Sequence, residues 1–291
     1  MNRSIKPIIG VLMVMTLCVA GYFLYDHGRP APVPVRKTLY SGVIYRRLVK
    51  VYPHPMIAHV IEIDRKITDA VFLVTPPGRD GELPLNARTT SQFLDEFNLQ
   101  IAVNGDGFEP WWSRSPVDYY PRPGDPVKPL GLTAYEGDIY VSGRTDIIGT
   151  EPTLYVSRRN DLSFNNRPSR VWTAISGDRM LVTKGAVEDG LDDTAIEPRS
   201  AIGISQNGRY LYLVVVDGRQ PFYSDGATFS ELGDLLVGQG AYIAMSLDGG
   251  GSSTMVIEGD DGETIILNSP IDNYIPGRER PVANHFGVYV R

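Results

Sequence analysis

The stretch Ala241-Tyr242-Ile243-Ala244-Met245-Ser246-Leu247-Asp248-Gly249-Gly250-Gly251-Ser252-Ser253-Thr254 organises the chain. An apolar run of strand character carries one carboxylate, Asp248, to its end, and three glycines and three hydroxyls follow at once. Glycine has no Cβ, so the backbone there can enter φ > 0 and come close to a ligand. Successive N–H groups in such a turn can form a concave anion nest. An acid on one side and Ser-Ser-Thr on the other predict a site for a polar ligand rather than a plain turn between buried strands. The turn lacks the Lys-[Ser/Thr] of a P-loop and the G-x-G-x-x-G spacing, so nucleotide binding is not supported.

The surrounding composition is ordinary for a globular protein: 291 residues, 42% hydrophobic and 21% charged. The net charge of −6 argues against nucleic acid as a partner, because phosphate-backbone binding needs a concentrated basic surface. Thirty glycines and 22 prolines suit a turn-rich fold of many short strands. The single cysteine, Cys18, lies in an N-terminal apolar segment, so the folded part has no disulfide and no cysteine metal site. No His/Asp cluster has zinc spacing, and no metal or other cofactor is expected; a divalent cation on Asp217 and Asp248 is unsupported.

Arg3 and Lys6 precede an apolar run from Pro7 to Tyr25, near the roughly 20 residues needed to cross a bilayer. Residues 1–28 are therefore expected to form a transmembrane signal anchor or a signal peptide. The positive flank would stay inside. That places the chain in a bacterial inner membrane as a single-pass protein with its domain in the periplasm or outside the cell, or secretes it after cleavage. Proline-rich residues 29–40 read as an extended spacer, and 41–291 as the folded domain.

Within that domain, Ala58–Asp64 and Ala70–Thr75 read as strands forming an antiparallel pair. Thr89-x-x-Gln92 and Thr228-x-x-Glu231 are capping boxes that open helices over Thr89–Leu99 and Thr228–Val237. Gln206-Asn207-Gly208-Arg209 joins strands Ala201–Ser205 and Tyr210–Asp217 in a hairpin. Glu109 to Pro129 is a long loop rich in Trp, Tyr and Pro, suited to line a cleft or to pin itself to the core. Further strands are expected near 100–103, 138–141, 153–157, 171–176, 254–258, 264–268 and 285–290. Strands outnumber helices and are joined mostly by short turns. The expected class is α+β, with largely antiparallel or mixed β-sheets and a few packed helices behind the N-terminal transmembrane or signal helix.

Several blocks together resemble the phosphodiester glycosidase family. These are Asn104-Gly105-Asp106-Gly107-Phe108, Pro198-Arg199-Ser200-Ala201-Ile202-Gly203-Ile204 and Val216-Asp217-Gly218-Arg219, followed by Gly226-Ala227-Thr228 with Glu231-Leu232. Leu247–Ser253, Asn268 and Glu279-Arg280-Pro281-Val282-Ala283-Asn284 complete the order. The resemblance spans about residues 58–291. It implies an exported glycosidase that hydrolyses a sugar-1-phosphodiester of the N-acetylglucosamine-1-phosphodiester type, and bacterial members point to surface or exopolysaccharide glycans. Asp106 departs from the family pattern, which has Gly there. A non-catalytic glycan-binding or exopolysaccharide-assembly protein on the same fold is the alternative.

Cleaving a glycosyl phosphate requires stabilising a cation-like sugar and accommodating a phosphate. Glycoside hydrolases use two carboxylates about 5–10 Å apart, and the candidates are Asp217, Asp248 and Glu231. Glu231 could equally be only the capping partner of its helix. Arginine forks pair phosphate oxygens, which singles out Arg199, Arg219 and Arg280. Gly249, Gly250, Gly251, Ser252 and Ser253 would complete the phosphate cradle, with Asn104 and Thr228 alongside.

Overall fold

The Asn-Gly turn at 207–208 joins strands Arg199–Ile204 and Tyr210–Val216 in antiparallel register, from Arg199 opposite Val216 to Ile204 opposite Leu211. Gly208 supplies the positive φ the turn requires, +65°. The computed structural model describes residues 5–30, 32–143 and 151–290. The hairpin sits at the middle of an eight-stranded sheet. Its order is Val35–Tyr40, Val43–Lys50, Met56–Asp64, Tyr210–Val216, Arg199–Ile204, Ile243–Ser246, Arg179–Thr183 and Ala186–Val187. Every neighbouring pair is antiparallel.

A second, five-stranded sheet runs Thr264–Ile266, Met255–Glu258, Ile101–Asn104, His285–Val290, Ala70–Val74. A third runs Asp138–Ser142, Leu132–Tyr135, Thr173–Ser176, Thr153–Val156, Leu162–Phe164. Both are antiparallel throughout.

One core lies between these sheets. Leu211, Leu213 and Val215 of the eight-stranded sheet meet Val103, Phe286 and Val288 of the second and Leu154 and Ile175 of the third. The alternate residues Tyr212, Val214 and Val216 face the other way, onto helix α3 (Phe229–Gln239) through Phe229, Leu232, Leu235 and Leu236. Burial on both faces is why Leu211 to Val216 is continuously apolar rather than alternating. Helix α2 (Thr90–Phe97) covers the outer face of the second sheet with Phe93 and Leu94. Both helices carry the expected complete capping box, on Thr89 and Thr228, and α3 closes at Gly240, φ +98°.

Some expectations change. Met56–Asp64 and Ala70–Val74 are adjacent in sequence but do not pair; they enter different sheets, because each buries its apolar face on opposite sides of the shared core. The 109–129 stretch contains short strands, including the hairpin Trp112–Ser115 with Asp118–Tyr120. Val35–Tyr40, within the expected spacer, is an edge strand of the large sheet.

Helix α1 (Ile5–Gly28) forms at the N-terminus and exposes its apolar side chains from Ile9 to Val19. Among the described residues, however, no helix is long and apolar enough to cross a membrane. The expected spanning anchor is not borne out. Arg3, read as its positive flank, lies outside the described residues, as does the side chain of Lys6.

Candidate active site

Antiparallel register decides which distant residues meet. Ser246 lies opposite both Ala201 and Arg179, and Arg199 lies opposite Val216. The ends of Ile243–Ser246 and Tyr210–Val216 and the starts of Arg199–Ile204 and Arg179–Thr183 therefore share one edge of the sheet. The second sheet brings Asn104 to the same edge. Its Nδ2 donates to the Asp248 carbonyl at 2.8 Å, and the Asp248 N–H donates to the Gly105 carbonyl at 2.9 Å.

At this edge is a cleft of about 550 Å³. Asp106, Trp111, Glu151, Asp178, Glu197, Phe229 and Asp248 line it, with Arg199, Arg219, Arg280 and the three glycines 249–251.

The glycines are explained by what crowds them. A Cβ on Gly249 would lie 2.9 Å from the Pro198 carbonyl and 3.9 Å from Arg199 Nη1. One on Gly250 would lie 3.0 Å from Arg219 Nη2, and one on Gly251 only 2.5 Å from Arg280 Nη2. The side-chain-free turn admits the guanidinium groups of Arg219 and Arg280, while Arg199 comes to ordinary contact distance from a third chain segment. Its N–H groups are largely committed elsewhere. Gly250 N–H donates to Pro198 (2.8 Å), Ser252 N–H to Gly249 (3.2 Å) and Ser253 N–H to Gly250 (3.3 Å). The cationic groups of the cleft are thus the three arginines, set among the acids Glu151, Asp178, Glu197 and Asp248, rather than a backbone nest.

Each arginine is held in place by neighbouring groups. Arg199 donates from Nε to the Ala227 carbonyl (3.0 Å) and from Nη2 to the Ala195 carbonyl (2.9 Å), and sits 3.7 Å from the Phe229 ring centre. Arg219 pairs through Nε with Glu197. Arg280 donates from Nε to Asp272 (2.8 Å) and from Nη1 to Ser252 Oγ (3.2 Å), and lies 4.9 Å from the Trp111 ring centre. Planar forks fixed at one edge present the other edge to an anion.

The acids are tuned by burial. Desolvation pushes Asp106 up to about 8, against the pull of N–H donors from Gly131 (2.7 Å) and Gly107 (2.8 Å). Nearby Glu151 and Asp248 push it the same way. Asp248 is also raised, by desolvation first, with Ser252 and Arg280 opposing. Near neutral pH a protonated Asp106 leaves one negative charge fewer among the cleft's acids.

The family's sequence profile, that of the phosphodiester glycosidases, matches residues 97–289. The chain belongs to the phosphodiester glycosidase family. That makes it a member of a family of hydrolases. Its fold is similar to three solved structures. The catalytic domain of zebrafish N-acetylglucosamine-1-phosphodiester alpha-N-acetylglucosaminidase, auto-inhibited by its pro-peptide, is 19% identical with a TM-score of 0.57; the match covers 90% of this chain and 85% of that one. A putative exported protein of Burkholderia pseudomallei is 16% identical with a TM-score of 0.57, covering 81% of this chain and 74% of that one. A hypothetical protein of Synechocystis is 14% identical with a TM-score of 0.55 and covers 90% of this chain; this chain spans only 64% of its length. No curated protein matches the chain.

In this phosphodiester glycosidase-family protein the sequence candidates divide. Asp248, Arg199, Arg219, Arg280 and Gly249 to Gly251 share the cleft. Asp217 does not line it. Its Oδ2 accepts from His59 Nε2 (3.0 Å) and Tyr223 Oη (3.3 Å), and its Oδ1 accepts from the Ser269 N–H (2.6 Å) and Asn268 Nδ2 (3.3 Å). The pleat explains the split. Asp217 follows the parity of Leu213 and Val215, toward the inter-sheet core, whereas Arg199 shares the parity of Ala201, toward α3.

Glu231 and Thr228 complete the α3 capping box, and Glu231 Oε1 also accepts from His54 Nε2 at 2.9 Å. Asn104 is fully buried and braces the turn, accepting from Ser200 Oγ (2.7 Å) and the Thr254 N–H (3.2 Å). Ser252 backs Arg280, while Ser253 Oγ is buried without a hydrogen-bond partner among the described residues.

Sequence reasoning passed over Glu197, Asp178, Glu151 and Phe229 as cleft residues, and Asp272 as the support of Arg280. No motif marks them. Asp106 carried a signal, as the acid that stands where the family pattern has Gly, and so did Trp111, in the aromatic loop suited to line a cleft.

Proposed function

We propose that this protein hydrolyses a glycosyl-1-phosphodiester, with an N-acetylglucosamine-1-phosphodiester as the first substrate class to test. The observation that carries this reading is the convergence of Arg199, Arg219 and Arg280 on the glycine turn beside Asp248. Three guanidinium groups neutralise a bound phosphodiester and the charge it gains as the C1–O bond breaks. A phosphate is already a good leaving group, so a strong general acid is not required. The demand falls on the sugar, which becomes cation-like at C1. Asp248 stands next to the guanidinium cluster and is the residue assigned to meet that charge, as nucleophile or as electrostatic partner.

The zebrafish fold relative, named for release of N-acetylglucosamine from a phosphodiester, supports the choice of sugar. The apolar run after Arg3 and Lys6 supports export of the domain, where a surface or exopolysaccharide glycan is the proposed source of substrate.

The test is a screen of the purified chain against sugar-1-phosphodiesters, with Asp248→Asn as control. Wild type should release the sugar and a phosphomonoester, and Asp248→Asn should lose at least about a thousandfold in kcat. Binding without turnover in wild type would favour a glycan-binding role instead.

A further inference from the structure

We infer that Arg29, which lies far outside the family-matching residues 97–289, is a positioning residue for two of the three cleft arginines. The inference rests on reading the cleft as a phosphate site. Arg29 directly follows α1. Its Nη1 donates to Gln220 Oε1 at 2.7 Å and its Nη2 to Ser269 Oγ at 2.9 Å, while its guanidinium lies 3.6 Å from the Tyr223 ring centre. Gln220 and Ser269 also bind each other twice: Ser269 Oγ donates to Gln220 Oε1 and Gln220 Nε2 to the Ser269 carbonyl, both at 2.8 Å. One planar fork therefore bolts together two loops that are 49 residues apart in sequence.

Those two loops carry the machinery. Gln220 immediately follows Arg219. Ser269 opens the segment that holds Asp272, whose carboxylate fixes Arg280. Both loops depend on outside support, because each contains a bulky residue in the left-handed region: Arg219 (φ 56°) and Phe222 (φ 66°) in one, Tyr274 (φ 59°) beside Asn273 (φ 52°) in the other. Such conformations persist only where the surroundings over-determine them. Asp217 supplies that restraint from inside, through the Ser269 N–H. Arg29 supplies it from outside, at the point where the two loops touch. A lysine is not equivalent, since its ammonium lacks the planar fork that bonds Oε1 and Oγ through separate nitrogens while stacking on Tyr223.

The experiment is an equilibrium titration of the full chain with inorganic phosphate at fixed ionic strength, for wild type, Arg29→Ala, Arg29→Lys and Ser269→Ala. Arg29→Ala and Arg29→Lys should each raise the phosphate Kd by about tenfold, and Ser269→Ala by about threefold. Millimolar guanidinium should restore part of the affinity of Arg29→Ala, because it can refill the vacated fork; a general loss of stability would not be repaired in this way. Wild-type phosphate affinity in Arg29→Ala, or full affinity in Arg29→Lys, overturns the inference while leaving the proposed function intact. A wild type that binds no phosphate removes both.

Discussion

Gly251 and Arg280 are in such close apposition that a Cβ on the glycine would stand 2.5 Å from Nη2 and 2.9 Å from Cζ of the arginine. Arg280 cannot retreat, because Asp272 holds its Nε and Trp111 covers its face. Gly251→Ala should therefore displace the guanidinium, lowering kcat/KM by about a hundredfold and costing about 1–3 kcal/mol from overpacking. Steady-state kinetics and chemical denaturation measure the two effects; an alanine variant with wild-type kcat/KM would show that the contact lies outside the site.

Asp217 and Asp248, paired in the sequence reading, should separate on mutation. Asp217 is buried against His59 and three other donors, so Asp217→Asn should cost about 3 kcal/mol of stability. Asp248→Asn should leave the denaturation midpoint near wild type and remove turnover. If the two variants behaved alike in both assays, this division of roles would be wrong.

The buried Asp106 should give the protein a distinctive pH dependence. Its folded value, about 8, lies above the ordinary carboxylate range. Between about pH 4 and pH 8 the native state therefore binds more protons than the unfolded chain, and stability falls as pH rises through that window. Above the folded value the contribution is gone. Thermal midpoints should decline from pH 5 toward pH 9, and Asp106→Gly should flatten that decline without abolishing it, because Asp248 and Glu279 are raised as well. A slope identical to wild type in the variant would contradict the assignment.

Glu231 is predicted to be a helix cap rather than a catalyst. Glu231→Ala removes its bonds to the Thr228 N–H and to His54, and should cost about 1 kcal/mol, seen as a lower melting temperature. Its kcat should stay within about threefold of wild type. A collapse of kcat at unchanged stability would return Glu231 to the reacting groups.

Local chemistry was fully legible where it is local in space. The capping boxes at Thr89 and Thr228 and the Asn207-Gly208 hairpin depend on residues three or four apart. The glycine turn after Asp248 was also visible, as a run of glycines of which Gly250 and Gly251 leave little room for a Cβ beside Arg219 and Arg280. Strands Val35–Tyr40 and Arg179–Thr183 gave little sign, being edge or near-edge strands with mixed exposure.

By itself the sequence determined that this is an antiparallel α+β domain with an acid and three arginines available for an anion. Pattern, capping and turn chemistry act over a few residues, and they survive without tertiary context. Tertiary structure alone decided which of those groups share a cleft. Pleat parity sends Asp217 inward and Arg199 outward from paired strands, and register brings Asp106 within reach of Asp248 across 142 residues of chain. Parity and register arise from how whole sheets bury their faces against one another, so no local stretch of sequence carries them.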